Sequence, residues 1–314
     1  MIMDNNLIVN IEQLIEKSNS ILVFAHKRPD GDAVGSVIAF SLFLKSKGKK
    51  VTALLPDDPP PEYDFLKGFD SIVKKAEGEF DLYISLDEAD LSRTYNIPDN
   101  IPKEKIINID HHKSNTYFGG LNVVLPDYSS TCEILIEIVG ERGNTDIYNA
   151  LYTGMLTDTG GFKYANTSVR TLKHAIELIE KGVNHAYISQ MVFMRMTRGK
   201  IKLLALALET LEFYGDKAVM TISLDMLNKT GTTMKDTESI TGYTLVTRGI
   251  ELGVLLREEA ENRTRVSFRS KGKYDVDLMA KEFGGGGHKE AAGCTIDTDL
   301  QTASKIIKEK VIGL

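Results

Sequence analysis

Residues 21–36 read Ile21-Leu22-Val23-Phe24-Ala25-His26-Lys27-Arg28-Pro29-Asp30-Gly31-Asp32-Ala33-Val34-Gly35-Ser36. An apolar run of strand length ends at a histidine and a Pro-Asp-Gly-Asp turn follows. A helical stretch over residues 33–47 then closes at Gly48, the residue type favoured just past a helix end. Similar short apolar runs occur at residues 51–55, at 82–86 before Asp87, and at 106–109 before Asp110. Strands that are apolar without alternation are buried on both sides, which predicts a parallel α/β sheet with helices on both faces. In such sheets ligands gather beyond the carboxyl ends of the strands, where His26, Asp87 and Asp110 all fall.

From residue 129 to 182 the pattern turns helical, over 132–141, 147–156 and 169–181, and Gly182-Val183-Asn184 stops it. Residues 184–211 read as a connecting helical segment. Beyond them come strands at 218–223, 252–257 and 264–268, a helix at 276–282, a glycine run and a last helix at 302–312. The expected organisation is an N-terminal domain over 1–183, a helical linker over 184–200 and a smaller α/β domain over 201–314.

Composition narrows the function. The 314 residues suffice for two cores, and the net charge of −6 leaves no basic excess for tracking along nucleic acid. A short or small phosphorylated substrate fits this charge better than a long duplex. No apolar stretch reaches the roughly 18–20 residues that span a bilayer, and the start, Met1 to Asn6, lacks the features of a secretory signal. Cys132 and Cys294 lie far apart without metal-binding spacing and read as reduced core thiols, so a cytoplasmic protein is expected.

The chemistry sits in His26-x-x-x-Asp30-x-Asp32, Asp87, Asp110-His111-His112 and Asp158 of Leu156-Thr157-Asp158-Thr159-Gly160. Taken singly, an Asp-x-Asp turn is a solvated loop or cap and a His-His pair is surface or core. Gathered at successive strand ends, these groups would repel one another or be costly to bury unless cations sit among them. Oxygen and nitrogen donors without thiolate favour Mn²⁺ or Mg²⁺ over structural zinc. Two such ions roughly 3.5–4 Å apart hold a water nucleophile and polarise a phosphoryl oxygen, and the central place expected for Asp87 suits a bridging ligand. A second segment, Phe283-Gly284-Gly285-Gly286-Gly287-His288, reads either as a flexible loop or as a phosphate-capturing run of exposed N–H groups ahead of a short helical stretch. No Gly-Lys-Ser/Thr follows it, so it is not a Walker loop. His288 and the nearby Arg269 favour the second reading.

These segments, in this order and over nearly the whole chain, resemble the DHH phosphoesterase superfamily with its DHH-associated C-terminal domain. Size and two-domain layout look most like the nano-RNase branch, the bifunctional oligoribonucleases and phosphatases of 3′-phosphoadenosine-5′-phosphate (pAp). The resemblance implies that His26, Asp30 and Asp87 bind one Mn²⁺ and that Asp32, Asp87, His111 and Asp158 bind another, with Asp87 between them. It implies His112 beside the scissile phosphate as a hydrogen-bond donor or acid, Asp110 orienting His111, and Arg269, Gly286, Gly287 and His288 holding substrate. The Lys27-Arg28 pair matches no fixed position of the motif.

The implied enzyme is a hydrolase with its metals in the N-terminal domain and its substrate grip in the C-terminal one, closing across a cleft. It shortens small RNAs to mononucleotides and removes the 3′-phosphate of pAp, without a membrane, and as a homodimer through its N-terminal domain. Competing readings use the same residues: a linear-dinucleotide phosphodiesterase, a manganese-dependent inorganic pyrophosphatase, or a catalytically dead nucleotide-binding regulator. The glycine run with His288 argues against pyrophosphate, and the filled ligand positions argue against a dead regulator.

Overall fold

A computed structural model describes residues 4–314, the side chains of Glu238 and Ser239 excepted. The first three residues of the start read above for a signal lie outside the described residues. The chain divides into two compact units, residues 1–195 and 196–314, so the division falls inside the segment read as connecting.

In the first unit β1 (Ser20–Phe24), β2 (Lys50–Leu54), β3 (Ile72–Val73), β4 (Leu82–Leu86), β5 (Ile106–Asp110) and β6 (Leu121–Val124) form one sheet in the order β3-β2-β1-β4-β5-β6. Every neighbouring pair is parallel. The chain leaves β1 toward β2 and β3, then returns to lay β4 on the other side of β1. The order therefore reverses between β1 and β4, and a crevice opens beyond their carboxyl ends. The α-helices are α1 (Asn5–Glu16), α2 (Gly31–Ser46), α3 (Thr131–Val139), α4 (Thr145–Asp158), α5 (Val169–Glu180) and α6 (His185–Phe193).

The two faces of the sheet are covered differently, one by α-helices and the other by loops with a 3-10 turn. Ile21, Val23, Ile84, Leu86, Ile107 and Ile109 pack on one face in a core shared with residues of α1 to α6. Leu22, Phe24, Leu54, Tyr83 and Ile106 point the other way. There, Phe80, Leu91, Ile97, Ile101 and Phe118 of loops and a 3-10 turn cover them. Buried on most sides, α2 is apolar nearly all round, as a helix between a sheet and other helices must be.

The second unit contains α7 (Arg198–Glu209), β7 (Glu212–Tyr214), β8 (Lys217–Ile222), α8 (Leu224–Thr230), β9 (Leu252–Ala260), β10 (Arg263–Ser270), α9 (Val276–Lys281), β11 (Gly286–His288), β12 (Ala291–Ile296) and α10 (Leu300–Ile312). Its sheet runs β11-β12-β10-β9-β8-β7, antiparallel except for the β8–β9 pair. Val254, Leu256, Val266 and Phe268 form its core with Val276, Met279, Ala303, Ile307 and Val311 of α9 and α10.

The glycine run corrects an expectation. It does not open a helix: residues 286–288 are an edge strand, and residues 291–296 pair back against it. A Cβ on Gly285 would begin 2.2 Å from the Gly293 carbonyl oxygen, and one on Gly287 2.5 Å from that of Ala291. Close approach of backbone is what these glycines permit.

Candidate metal centre

His26 leaves β1 with its Nδ1 2.7 Å from the Lys27 carbonyl oxygen. A carbonyl only accepts, so Nδ1 carries the proton and Nε2 keeps its lone pair, 3.5 Å from Asp87 Oδ2. Asp30 caps α2: its Oδ1 accepts from the N–H groups of Asp32 and Ala33, both at 3.1 Å. At the second position of that helix, the fully buried Asp32 accepts from Thr131 N–H at 2.6 Å and Cys132 N–H at 2.9 Å. The amino end of α3 thus faces this carboxylate, a favourable orientation for negative charge.

Asp87 follows β4 in the left-handed region, with φ 55°. For a residue with a Cβ this conformation costs of order 1 kcal/mol or more and tends to persist at functional sites. Its N–H donates to Ile109 (3.0 Å), and Thr131 Oγ1 donates to its Oδ1 (3.2 Å). Its two oxygens face different imidazoles: Oδ2 toward His26 and Oδ1 toward His111 Nε2, each at 3.5 Å.

Asp158 arrives from α4, which lies against α2 because small residues let the backbones close in. A Cβ on Gly31 would begin 2.3 Å from Thr157 Oγ1, and one on Gly35 2.6 Å from the Ala150 carbonyl. One on Gly154 would begin 2.9 Å from Asp32 Oδ1 of α2 and 2.3 Å from Sγ of Cys132 on α3. Through this contact Asp32 and Asp158 reach one imidazole, with Oδ2 atoms 4.0 and 3.5 Å from His111 Nε2. Three overlapping sets result, His26–Asp30–Asp87, Asp32–His111–Asp158 and Asp87–His111–His112, each with donor atoms within 4.8 Å of one another.

The electrostatics are those of a site that needs positive charge. Burial, then repulsion from Asp87, pushes Asp30 and Asp32 up, and burial takes Asp158 up to about 7. Burial opposes protonation of His111, yet the surrounding carboxylates raise it to about 10. Asp87 stays below the ordinary carboxylate range because His111 and His26 outweigh its burial. Protons here occupy places that cations would take. The donor set is oxygen and nitrogen. The nearby Cys132 is pushed well up by burial and Asp32, so it is no thiolate ligand. The cluster fits a hard or borderline divalent cation.

Asp110 departs from expectation. Its Oδ1 accepts from His112 Nδ1 (2.7 Å) and from the His111 backbone N–H (2.9 Å), so it orients the His112 ring and not that of His111. Asn115 Nδ2 holds the other oxygen at 2.6 Å. Residues absent from the sequence reading complete the surroundings. Thr131 touches Asp87, and the buried Glu88, raised by burial to about 7, accepts from Ser85 and Thr94. The Asn108 and Asn115 amides donate to the Glu88 carbonyl, both at 3.1 Å. Polar Ser85 and Asn108 inside otherwise apolar strands were the available signal.

In the second unit, the register aligns His288 with Ala291 and Arg269, and Gly286 with Gly293 and Ser267, all on one sheet face. Gly287 aligns with Ala292 and Phe268 on the opposite, core-facing side. The N–H groups of Gly284, Gly285 and Gly287 are committed within the fold and are not free to capture phosphate. Gly284 donates to Lys281, Gly285 to Ala280, and Gly287 to Asp277 Oδ1 at 2.8 Å.

Comparison with known proteins follows the same division. Residues 20–157 match the DHH family, N-terminal domain, and residues 215–313 match the DHHA1 domain. The chain is 33% identical over 299 residues to the bifunctional oligoribonuclease and PAP phosphatase NrnA of Thermus thermophilus, covering 93% of this chain and 89% of the relative. It is 31% identical over 291 residues to the protein of the same name from Bacillus subtilis, covering 88% and 90%. Among solved structures, an exopolyphosphatase-related protein from Bacteroides fragilis superposes with a TM-score of 0.88 at 26% identity, covering 98% of this chain and 95% of that one.

Proposed function

This chain belongs to the DHH family, and from that premise we propose that it is a metal-dependent phosphoesterase that hydrolyses short oligoribonucleotides to mononucleotides and removes the 3′-phosphate of pAp. One observation carries the reading: the oxygens of Asp87 face His26 and His111 separately, as a carboxylate shared by two cations would. His26, Asp30 and Asp87 would hold one ion, and Asp32, Asp87, His111 and Asp158 the other, with Mn²⁺ the expected metal and Mg²⁺ the alternative. Such ions lower the pKa of water and neutralise charge at phosphorus.

The remaining work falls to side chains of this chain. The Nδ1–H of His26 and the N–H groups gripping Asp30 and Asp32 fix the ligating atoms before a cation arrives, which limits reorganisation. His112 is half-buried; burial opposes its charging, but Asp110 and Asp87 raise its pKa. With Nδ1–H committed to Asp110, its Nε2–H is the group able to donate to a phosphoryl or leaving oxygen. Arg269 and His288 present donors to a nucleotide on the second unit.

The buried free thiols of Cys132 and Cys294 support a cytoplasmic setting, and among the described residues no helix is long and apolar enough to cross a membrane. The outward face of α5, with Val169, Leu172, Ile176 and Ile179 exposed, supports a homodimer through the first unit.

The test is turnover by purified protein with Mn²⁺ of RNAs two to five nucleotides long, pAp, linear di-adenylate and pyrophosphate. Release of mononucleotides from RNA and of phosphate from pAp is expected. Activity on pyrophosphate alone would sink the proposal.

A further inference from the structure

Asp158 is the last residue of α4, and directly after it the chain turns back on itself. Gly160, Gly161 and Phe162 take successive left-handed conformations, with φ 57°, 72° and 63°. For Phe162, which carries a Cβ, this is a strained conformation of the kind that clusters at working sites. The turn is nonetheless firmly tied. Gly160 donates to the Thr157 carbonyl at 2.9 Å and Gly161 to that of Leu156 at 2.8 Å. Lys163 and Tyr164 both donate to the Thr159 carbonyl, at 2.9 and 3.0 Å. Asn166 Nδ2 fastens the rest of the loop to the carbonyls of Ser129 and Asp158, at 3.0 and 3.1 Å.

What the turn achieves is the placing of Tyr164. A Cβ on Gly160 would begin 2.4, 2.5 and 2.7 Å from the Cζ, Cε2 and Cε1 atoms of its ring. Three ring carbons at nearly equal distances mean that a face of the ring, not its edge, lies on the glycine. The rest of the ring is open, for Tyr164 is 61% exposed. Phe162 packs toward the core against Tyr152, but Phe193 at the end of α6 is 46% exposed. Its ring lies 3.4 Å from where a Cβ on Gly161 would begin, and the Lys163 ammonium stands 5.8 Å from its centroid. Two open rings and a cation thus flank a pair of glycines that begins two residues after Asp158. Two residues span at most about 7 Å of chain, which is within the reach of a nucleoside joined to a phosphate at the metal cluster. Open aromatic faces beside a cation suit a nucleobase, because stacking needs only a π-face and accepts any base.

We propose that Tyr164, flanked by Phe193, is a stacking platform on the first unit for a second nucleobase of an oligoribonucleotide, the base beyond the phosphate that is hydrolysed. The inference rests on the nucleotide-hydrolase reading above and goes beyond it. In pAp and in an oligoribonucleotide alike, the attacked phosphorus is joined to a 3′ oxygen. Only in the oligonucleotide does that phosphorus also carry the 5′ oxygen of a further nucleoside. Tyr164 is therefore a specificity residue for RNA. It contributes to the binding of oligonucleotides whatever their sequence, and it contributes nothing to pAp, which has no second base.

The experiment measures kcat and KM with Mn²⁺ for pAp, for linear di-adenylate, and for the same dinucleotide with an abasic second ribose. Tyr164→Ala raises KM for di-adenylate by about 5- to 100-fold, the range for losing one stacked base, and leaves kcat and all kinetics on pAp within about twofold of wild type. Tyr164→Phe, which keeps the ring, matches wild type. Wild type handles the abasic dinucleotide as poorly as Tyr164→Ala handles di-adenylate, and the variant loses nothing further on it, because both changes remove one contact. An alanine variant that weakens pAp and di-adenylate equally, as a merely structural role of the turn would give, overturns the platform. So does a variant that loses as much again on the abasic dinucleotide. If wild type hydrolyses neither pAp nor di-adenylate, the proposed function fails, and calorimetric binding of the two dinucleotides in chelator decides the platform. A preference for di-adenylate that Tyr164→Ala abolishes sustains it; equal affinities, or no binding of either, overturn it.

Discussion

Asp110 Oδ1 and His112 Nδ1 lie 2.7 Å apart, and that contact sets which way the second histidine of the pair faces. The carboxylate is fully buried and its other oxygen is held by Asn115, so it has no alternative orientation to offer. Asp110→Asn replaces the accepting charge by an amide of the same shape. It is expected to lower kcat by about 10- to 100-fold, the usual effect of losing a carboxylate behind a working imidazole, with KM and bound Mn²⁺ little changed. If the variant instead loses its metal while kcat per loaded site holds, Asp110 serves His111 after all.

Asp87 calls for a substitution matched to its backbone. At φ 55° an alanine would add strain to the loss of charge, whereas asparagine accepts the left-handed region more readily. Asp87→Asn is therefore expected to fold, to lose more than about 100-fold in activity, and to melt at the same temperature with Mn²⁺ or with chelator. The wild-type protein should gain stability from Mn²⁺, about 2.7 kcal/mol at a hundredfold excess over Kd. Full activity in Asp87→Asn would refute a shared bridging carboxylate.

The approach of α2 and α4 predicts that packing and chemistry fail together. Gly154→Ala places a methyl 2.3 Å from Cys132 Sγ and 2.9 Å from Asp32 Oδ1, both of them buried. Destabilisation of about 1–3 kcal/mol is expected, with weaker Mn²⁺ binding because Asp32 is displaced. Gly242→Ala meets nothing within 4 Å and is the control. Calorimetric melting and Mn²⁺ titration check both effects; an alanine variant matching wild type in each would show that the helices are not held this closely.

What could be read from the chain alone follows from what is local. The strands buried on both faces announce themselves as apolar runs, and the polar residue ending each run marks the sheet edge, so His26, Asp87 and Asp110 were visible. Asp32 and Asp158 were placed together only by the resemblance, because the glycine contacts that join α2 to α4 involve positions more than a hundred residues apart and leave no local pattern. Thr131 meets Asp87 across 44 residues and leaves no spacing to detect. The direction of Asp110 depends on how two successive imidazoles fan from one strand end, which is a matter of rotamers. The Gly286–His288 edge strand was missed since its residues carry little strand preference and only the close backbone of β12 makes it one.

A second buried carboxylate, away from the metal cluster, gives the protein an acid limit. Glu133 on α3 is wholly buried; its oxygens accept from Ser129 N–H at 2.6 Å and Arg170 Nε at 3.1 Å, and His174 lies 3.4 Å away. Burial works to raise its pKa, but these partners outweigh burial and bring it to about 2, below the ordinary 4.5. Between those values the unfolded chain binds the proton and the folded one does not. The stability Glu133 supplies is therefore complete above about pH 4.5 and is lost as pH falls toward 2. Glu133→Gln should be less stable than wild type by about 2–3 kcal/mol at pH 7, with the gap closing as the pH drops to 3 and below. The chain has no tryptophan, so urea unfolding followed by far-ultraviolet circular dichroism is the suitable measurement. A gap of constant size from pH 7 to pH 3 would mean that the carboxylate charge is not what its partners stabilise.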